Sequence, residues 1–151
     1  MFDLCLNDIC MGPTERNMAI KLIIAFLLGG ILGFQREVTH HPAGLRTHIL
    51  VCIGSTGFML LALCMSHIYR GEFPFDPGRV MQGVITGMGF IGAGAIMKEG
   101  INIHGITTSA SLWVACAVGM MVGANVIVLA IITTLVALIT LIFPETALKK
   151  I

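Results

Sequence analysis

The sequence predicts an all-α, polytopic membrane protein, and three observations carry that prediction. Of 151 residues, 56% are hydrophobic and only 11% are charged, where a soluble domain carries about 25% charged residues. Mean hydropathy is +0.94. Between Gly100 and Pro144 not one Asp, Glu, Lys or Arg occurs. So little charge cannot cover a globule in water, which excludes a soluble enzyme, a nucleic-acid binder and a disordered protein. The formal net charge of +1 gives no basic field for a polyanion. The length allows one domain. The expected partners are the lipid bilayer and other membrane proteins, with no nucleic acid.

The elements follow in chain order. Residues 1–17 read as an N-terminal segment, 18–144 as the transmembrane domain and 145–151 as a C-terminal tail. Asp3 and Asp8 stand where a cleaved signal would be basic. Cys5 and Cys10 either pair, if that end faces an oxidising compartment, or remain free thiols. Cys52, Cys64 and Cys116 lie in apolar runs and read as small hydrophobes. A membrane helix needs roughly 17–25 mostly apolar residues. Met18–Phe34 qualifies as the first span, with Lys21 able to snorkel. Ile49–Ile68 and Val80–Met97 are the second and third. The uncharged run from Gly100 is about twice the length that the roughly 30 Å hydrocarbon core accepts, so it must fold back once. Gly123-Ala124-Asn125 is the expected turn, giving Ile106–Gly123 and Val126–Phe143 as spans four and five, with Pro144 ending the last helix.

Five spans place the termini on opposite sides, and the count of basic residues on either side does not choose between orientations. The alternation does place two loops, Gln35–Thr47 and Lys98–Gly105, on one face. The first carries Arg36-Glu37, His40-His41 and Arg46-Thr47-His48. The second carries Lys98-Glu99, Asn102 and His104 and leads into Thr107-Thr108-Ser109. The loop His67–Arg79, with Pro74 and Pro77, reads as a connector. Arg36-Glu37 with Gly44-Leu45-Arg46-Thr47 parallels Lys98-Glu99 with Gly105-Ile106-Thr107-Thr108. Either chance or a parallel repeat of two spans accounts for that similarity. Gly29, Gly30 and Gly33 fall in span one, Gly83, Gly87, Gly89, Gly92 and Gly94 in span three, and Gly119 and Gly123 in span four. Glycine pairs four apart let helix backbones approach where no water drives association. The alternative is a broken or flexible helix lining an ion path. Association through Gly83 and Gly87 is expected, most simply as a homodimer.

Four blocks of sequence then resemble a known family: Gly33-Phe34-Gln35-Arg36-Glu37, Ala43–His48, Gly87–Ile96 and Gly105–Trp113. Together, in this order, they closely resemble the MgtC/SapB family of bacterial membrane proteins, over about Met18–Phe143. The resemblance implies an inner-membrane protein with its N-terminus outside and its C-terminus in the cytoplasm. A thiol at Gly71 is then expected to be reachable from outside and one at Gly100 not. It also implies links to magnesium limitation, acid stress and survival in host phagocytes. Members are often labelled magnesium transporters, while the better-supported family role is regulatory, acting on other membrane machinery such as the ATP synthase. Asn102, in the stretch Glu99–Asn102, matches a family position tied to function. His104 departs from the Arg or Lys common there. The chain is expected to be a short member without the C-terminal soluble domain of many relatives.

The expected functional polar cluster is Arg36, Glu37, Arg46, Thr47, His48, Lys98, Glu99, Asn102, Thr107 and Thr108. Ionisable groups at span ends beside the low-dielectric core are functional candidates; the alternative is a set of snorkelling anchors and Arg–Glu pairs fixing helix ends. Two carboxylates at that boundary need cations. The expected pairs are therefore Glu37 with Arg46 or Lys98, and Glu99 with Arg36, with Asn102 bridging to the start of span four. Free N–H groups there favour an anion, a lipid phosphate or an acidic partner side chain. No cofactor is expected. Mg²⁺ wants carboxylate, carbonyl and water oxygens, and this face offers only Glu37 and Glu99, each beside a cation. Interfacial hydrogen bonding is the expected role of the histidines, with pH sensing an alternative for His48. Without a carboxylate pair, Ser/Lys dyad or His-rich motif at membrane depth, an intramembrane enzyme is set aside. A regulator of other membrane proteins and an Mg²⁺ or proton transporter remain.

Overall fold

A computed structural model of the chain describes residues 13–69, 75–99 and 101–148, with backbone alone for 13–15, 99, 102 and 143–148. Gly71 and Gly100 lie outside the described residues. Five helices and one small hairpin occur among those described: α1 (Pro13–Val38), α2 (Leu45–Ile68), α3 (Pro77–Gly94), β1 (Met97–Glu99), β2 (Asn102–His104), α4 (Ile106–Gly123) and α5 (Ile127–Leu148). The fold is that of an all-α membrane protein. α1 from Arg16, α2 and α4 are each long and apolar enough to cross a membrane. In α5 the apolar stretch is the shorter Ile127–Ile142. In α3 six of 18 residues are glycine, which dilutes its hydropathy.

Local chemistry explains most helix ends. Asp76 caps α3 by accepting from Gly78 N–H at 2.8 Å, and Pro77 takes the first helical position. α3 therefore starts three residues before the predicted Val80 and stops at Gly94. Ile96 and Met97, assigned to the span by their apolarity, instead lead into the hairpin. α1 and α4 end in Schellman motifs built on non-glycine left-handed residues. His40 (φ 55°) and Asn125 (φ 67°) occupy that position. His41 N–H reaches back to Arg36 O and Val126 N–H to Met121 O. The predicted turn at Gly123-Ala124-Asn125 is present. Pro144 does not end α5, which continues to Leu148: so near the C-terminal end, proline removes one backbone bond without stopping the helix.

Small residues set the packing. A Cβ on Gly33 would stand 2.7 Å from Leu45 Cα, and one on Gly29 2.8 Å from Cys52 Cβ, so α1 lies backbone-close and antiparallel to α2. A Cβ on Gly123 would stand 2.7 Å from Met59 Cβ, and one on Gly119 would collide with Ser55 Oγ and Cys52 O. α2 and α4 thus run parallel, and Thr56 Oγ1 donates to Gly119 O at 2.7 Å across them. The main core joins Ala25, Leu28 and Leu32 of α1 to Cys52, Ala115, Val118, Val122 and Ala130. α3 sits at the side, burying only Met88 and Gly92. Gly92 lies against Ser109, but a Cβ at Gly83, Gly87, Gly89 or Gly94 would meet nothing within 4 Å. Gly29, Gly33, Gly92, Gly119 and Gly123 therefore sit at helix–helix contacts, whereas a side chain on Gly83, Gly87 or Gly94 would find open space among the described residues.

Candidate functional site

The helix directions bring the α1 C-terminus, the α2 and α4 N-termini and the hairpin to one end of the bundle, so the two polar loops share that end. At its centre is a buried polar seam. Arg36 sits in the last turn of α1, where a cation suits the helix dipole. Only 2% exposed, it points inward and its Nη2 donates to Thr108 Oγ1 of α4 at 3.0 Å. His48, fully buried in the first turns of α2, reaches α4 as well. Its Nδ1 lies 2.9 Å from Gly44 O and its Nε2 3.1 Å from Ser111 Oγ. Ser111 Oγ is also 2.8 Å from Thr108 O.

Donor counting fixes part of the chemistry. A carbonyl only accepts, so Nδ1 of His48 carries a proton. Neutral His48 then presents a bare Nε2, and the single Ser111 hydroxyl proton lies between two acceptors, Nε2 and Thr108 O. The seam ties α1 to α4 through Arg36 and α2 to α4 through His48, with Thr108 and Ser111 one helical turn apart on one face.

Around the seam the expected pairing of Glu37 with Arg46 or Lys98 does not form. Glu37 is exposed and its Oε2 accepts from Leu45 N–H at 2.9 Å, satisfying an orphan donor at the start of α2. The contact also explains Gly44, where a Cβ would overlap that carboxylate. Arg46 and Lys98 are exposed, and neither pairs with Glu37. The physical reason is competition: the unpaired amide of Leu45 is fixed and adjacent, whereas two exposed long cations gain little from an exposed carboxylate. Thr47 is half-buried and Thr107 exposed, so of the three predicted threonines only Thr108 enters the seam. Glu99 and Asn102 are cross-strand partners in the hairpin; their side chains, and with them the expected Glu99–Arg36 pair and Asn102 bridge, lie outside the described residues. Arg36-Glu37 on a helix and Lys98-Glu99 on a strand are not structural equivalents, which removes the loop argument for an internal repeat.

Ser111 is the seam residue missing from the predicted cluster, although it stands in the Gly105–Trp113 block, three residues after Thr108. Gln35, outside the seam, makes a further link that the predicted cluster lacks: its Nε2 donates to Leu141 O at 3.5 Å, joining α1 to α5. At the opposite end Lys21 Nζ donates to Gly123 O at 3.2 Å, closing the α4 C-terminus rather than merely snorkelling. Among the described residues no three His, Cys, Asp or Glu side chains converge on a metal position. The seam, built from guanidinium, imidazole N–H and hydroxyls, does not fit a hard divalent cation.

A five-helix membrane bundle with glycine-set helix contacts and one buried basic seam is the class the structure defines. The MgtC family profile matches residues 22–149, and the chain belongs to that family. It is 42% identical over 118 residues to "Protein MgtC" of Brucella abortus, covering 78% of this chain and 47% of that protein. Over 132 residues it is 35% identical to "Protein MgtC" of Salmonella typhimurium, covering 87% and 54%. It is also 38% identical over 129 residues to the "Putative magnesium transporter YhiD" of Escherichia coli, covering 81% and 58%. The chain thus spans about half the length of these curated relatives. No solved structure matches.

Proposed function

We propose that this chain is a non-enzymatic protein of the bacterial inner membrane that modulates other membrane proteins by docking against them, under magnesium limitation and acid stress and in virulence. The carrying observation is a contrast within the bundle. The seam's side chains reach one another across α1, α2 and α4, an arrangement suited to holding helix ends in register. Meanwhile the glycine face of α3, with Gly83 and Gly87 open, borders an apolar groove of about 780 Å³ between α2 and α3. Open small-residue faces are where membrane helices associate. A homodimer through that face is the simplest such association. By family resemblance the seam end is cytoplasmic, and exposed Arg46 there is the charge a partner would meet.

Transport of Mg²⁺ or protons is the competing reading, drawn from the polar cluster, and the YhiD relative is named a putative magnesium transporter. Purified chain in proteoliposomes separates the two. The docking reading expects Mg²⁺ and H⁺ fluxes equal to those of empty vesicles, and a flux above that background that requires Arg36 would replace it. In cells, Arg46→Ala is expected to lose the phenotype at unchanged membrane abundance, while His67→Ala at the opposite end keeps it. Parallel loss of abundance and phenotype in Arg46→Ala would make that residue structural.

A further inference from the structure

We infer that the β1–β2 hairpin is an interfacial lipid contact, immersed in the headgroup layer of the membrane that the bundle crosses. Two residues separate Gly94 of α3 from β1, and one separates β2 from α4, so both strands leave directly from helix ends. Each strand has three residues and reaches only about 10 Å at roughly 3.3 Å per residue. The headgroup layer on each side of the hydrocarbon core is roughly 5–8 Å deep. A hairpin rooted there keeps about half to four-fifths of its length among headgroups even when it stands upright, and more when it tilts.

Its surface fits that place. Ile101 is 95% exposed, and Met97 and Ile103 are each more than half exposed. Cross-strand partners share a face, so the pair Met97–His104 lies on one side and Lys98–Ile103 on the other. Each side thus offers one apolar and one basic or imidazole side chain, and the Glu99–Asn102 pair falls by register on the Met97–His104 side. A hairpin docking on a protein would keep one dry face and one wet face; apolar groups on both sides suit a medium that surrounds it. Lys98 can reach a phosphate while its stem stays among acyl carbons.

The base is rigid, which makes the contact consequential. Gly105 has φ 89°, and a Cβ there would overlap Ala95 O, so the root of β2 is clamped to the end of α3. α4 begins at the next residue and carries Thr108 two residues further on. This inference stands whichever partner or ion the bundle serves.

The test uses fluorescence depth. Ile101→Trp is placed in a Trp113→Phe background, because Trp113 is the only tryptophan. The purified chain is then reconstituted in phosphatidylcholine vesicles with or without lipid brominated near the carbonyl end. The expected result is loss of most of the emission to the brominated lipid and little loss to aqueous iodide. Ile103→Trp should behave alike, and supplies the answer if the Ile101 variant does not fold. Quenching by iodide alone puts the hairpin in water, and resistance to both quenchers puts it under a second copy. Either result overturns the inference.

Discussion

Arg36 illustrates how a cation is tolerated deep in a membrane bundle. Its guanidinium donates to a threonine hydroxyl held on a neighbouring helix, and a hydrogen bond to a charged group contributes about 1.5–3 kcal/mol. Thr108→Val keeps the shape and removes that acceptor. It is expected to lower stability by about 2 kcal/mol, because a buried charged donor loses a partner. Thr107→Val, one residue away but exposed, is expected to stay within about 0.5 kcal/mol. Unfolding of both variants in the same detergent micelles checks the pair; equal effects would show that the Arg36–Thr108 bond contributes nothing. Arg36 was legible because a charge at a span end is conspicuous. Its partner's type was not, since sequence does not reveal which helices pack and therefore which acceptor the side chain reaches. The carboxylate of Glu37, conspicuous for the same reason, instead bonds to a backbone amide that no residue-type pattern advertises.

At the scale of elements, two sets of glycines that look alike in sequence separate by environment. Gly119→Ala is expected to destabilise the bundle by about 1–3 kcal/mol through overpacking against Ser55 and Cys52. Gly54→Ala, with open space at its Cβ, is expected to be neutral or to stabilise by up to about 1 kcal/mol through helix propensity. Thermal melts of the two variants decide this; matching losses would mean that α2 and α4 are not in backbone contact. Gly83→Leu carries the association reading instead: it should not lower the melt of the dissociated chain but should weaken crosslinking in native membranes, whereas unchanged crosslinking would remove α3 as the interface. Helix number and most boundaries were legible, because apolar length and an uncharged run are strong signals in a membrane protein. The hairpin was not. Three-residue strands give no period, and Ile96-Met97 continues the apolar run of α3 until Gly105, clamped on Ala95 O, forces the chain to turn.

For the molecule as a whole, the alternating helix directions make orientation a single binary question with two reporters. Contacts fix Asp76, at the start of α3, and Lys98, just past its end, to opposite ends of the bundle, and both are exposed. The family resemblance implies an N-terminus outside, and with it α1 is expected to run inward, α2 outward and α3 inward again. On that orientation Asp76 is expected to face the exterior, and Lys98 and the seam the cytoplasm. In a chain stripped of its five cysteines, Asp76→Cys should react on intact cells with a membrane-impermeant maleimide, and Lys98→Cys should react only after permeabilisation. Lys98 is the stricter reporter: the headgroup layer can slow its labelling after permeabilisation, yet cannot make it accessible from the wrong side. Reaction of Lys98→Cys on intact cells, with Asp76→Cys protected, would invert the molecule and put the seam, and any partner meeting Arg46, on the outside. Reaction of both on intact cells would mean that α3 does not cross the membrane. The buried seam and the hairpin share one end of the bundle in either orientation; only the expected pattern makes the docking surface at that end cytoplasmic.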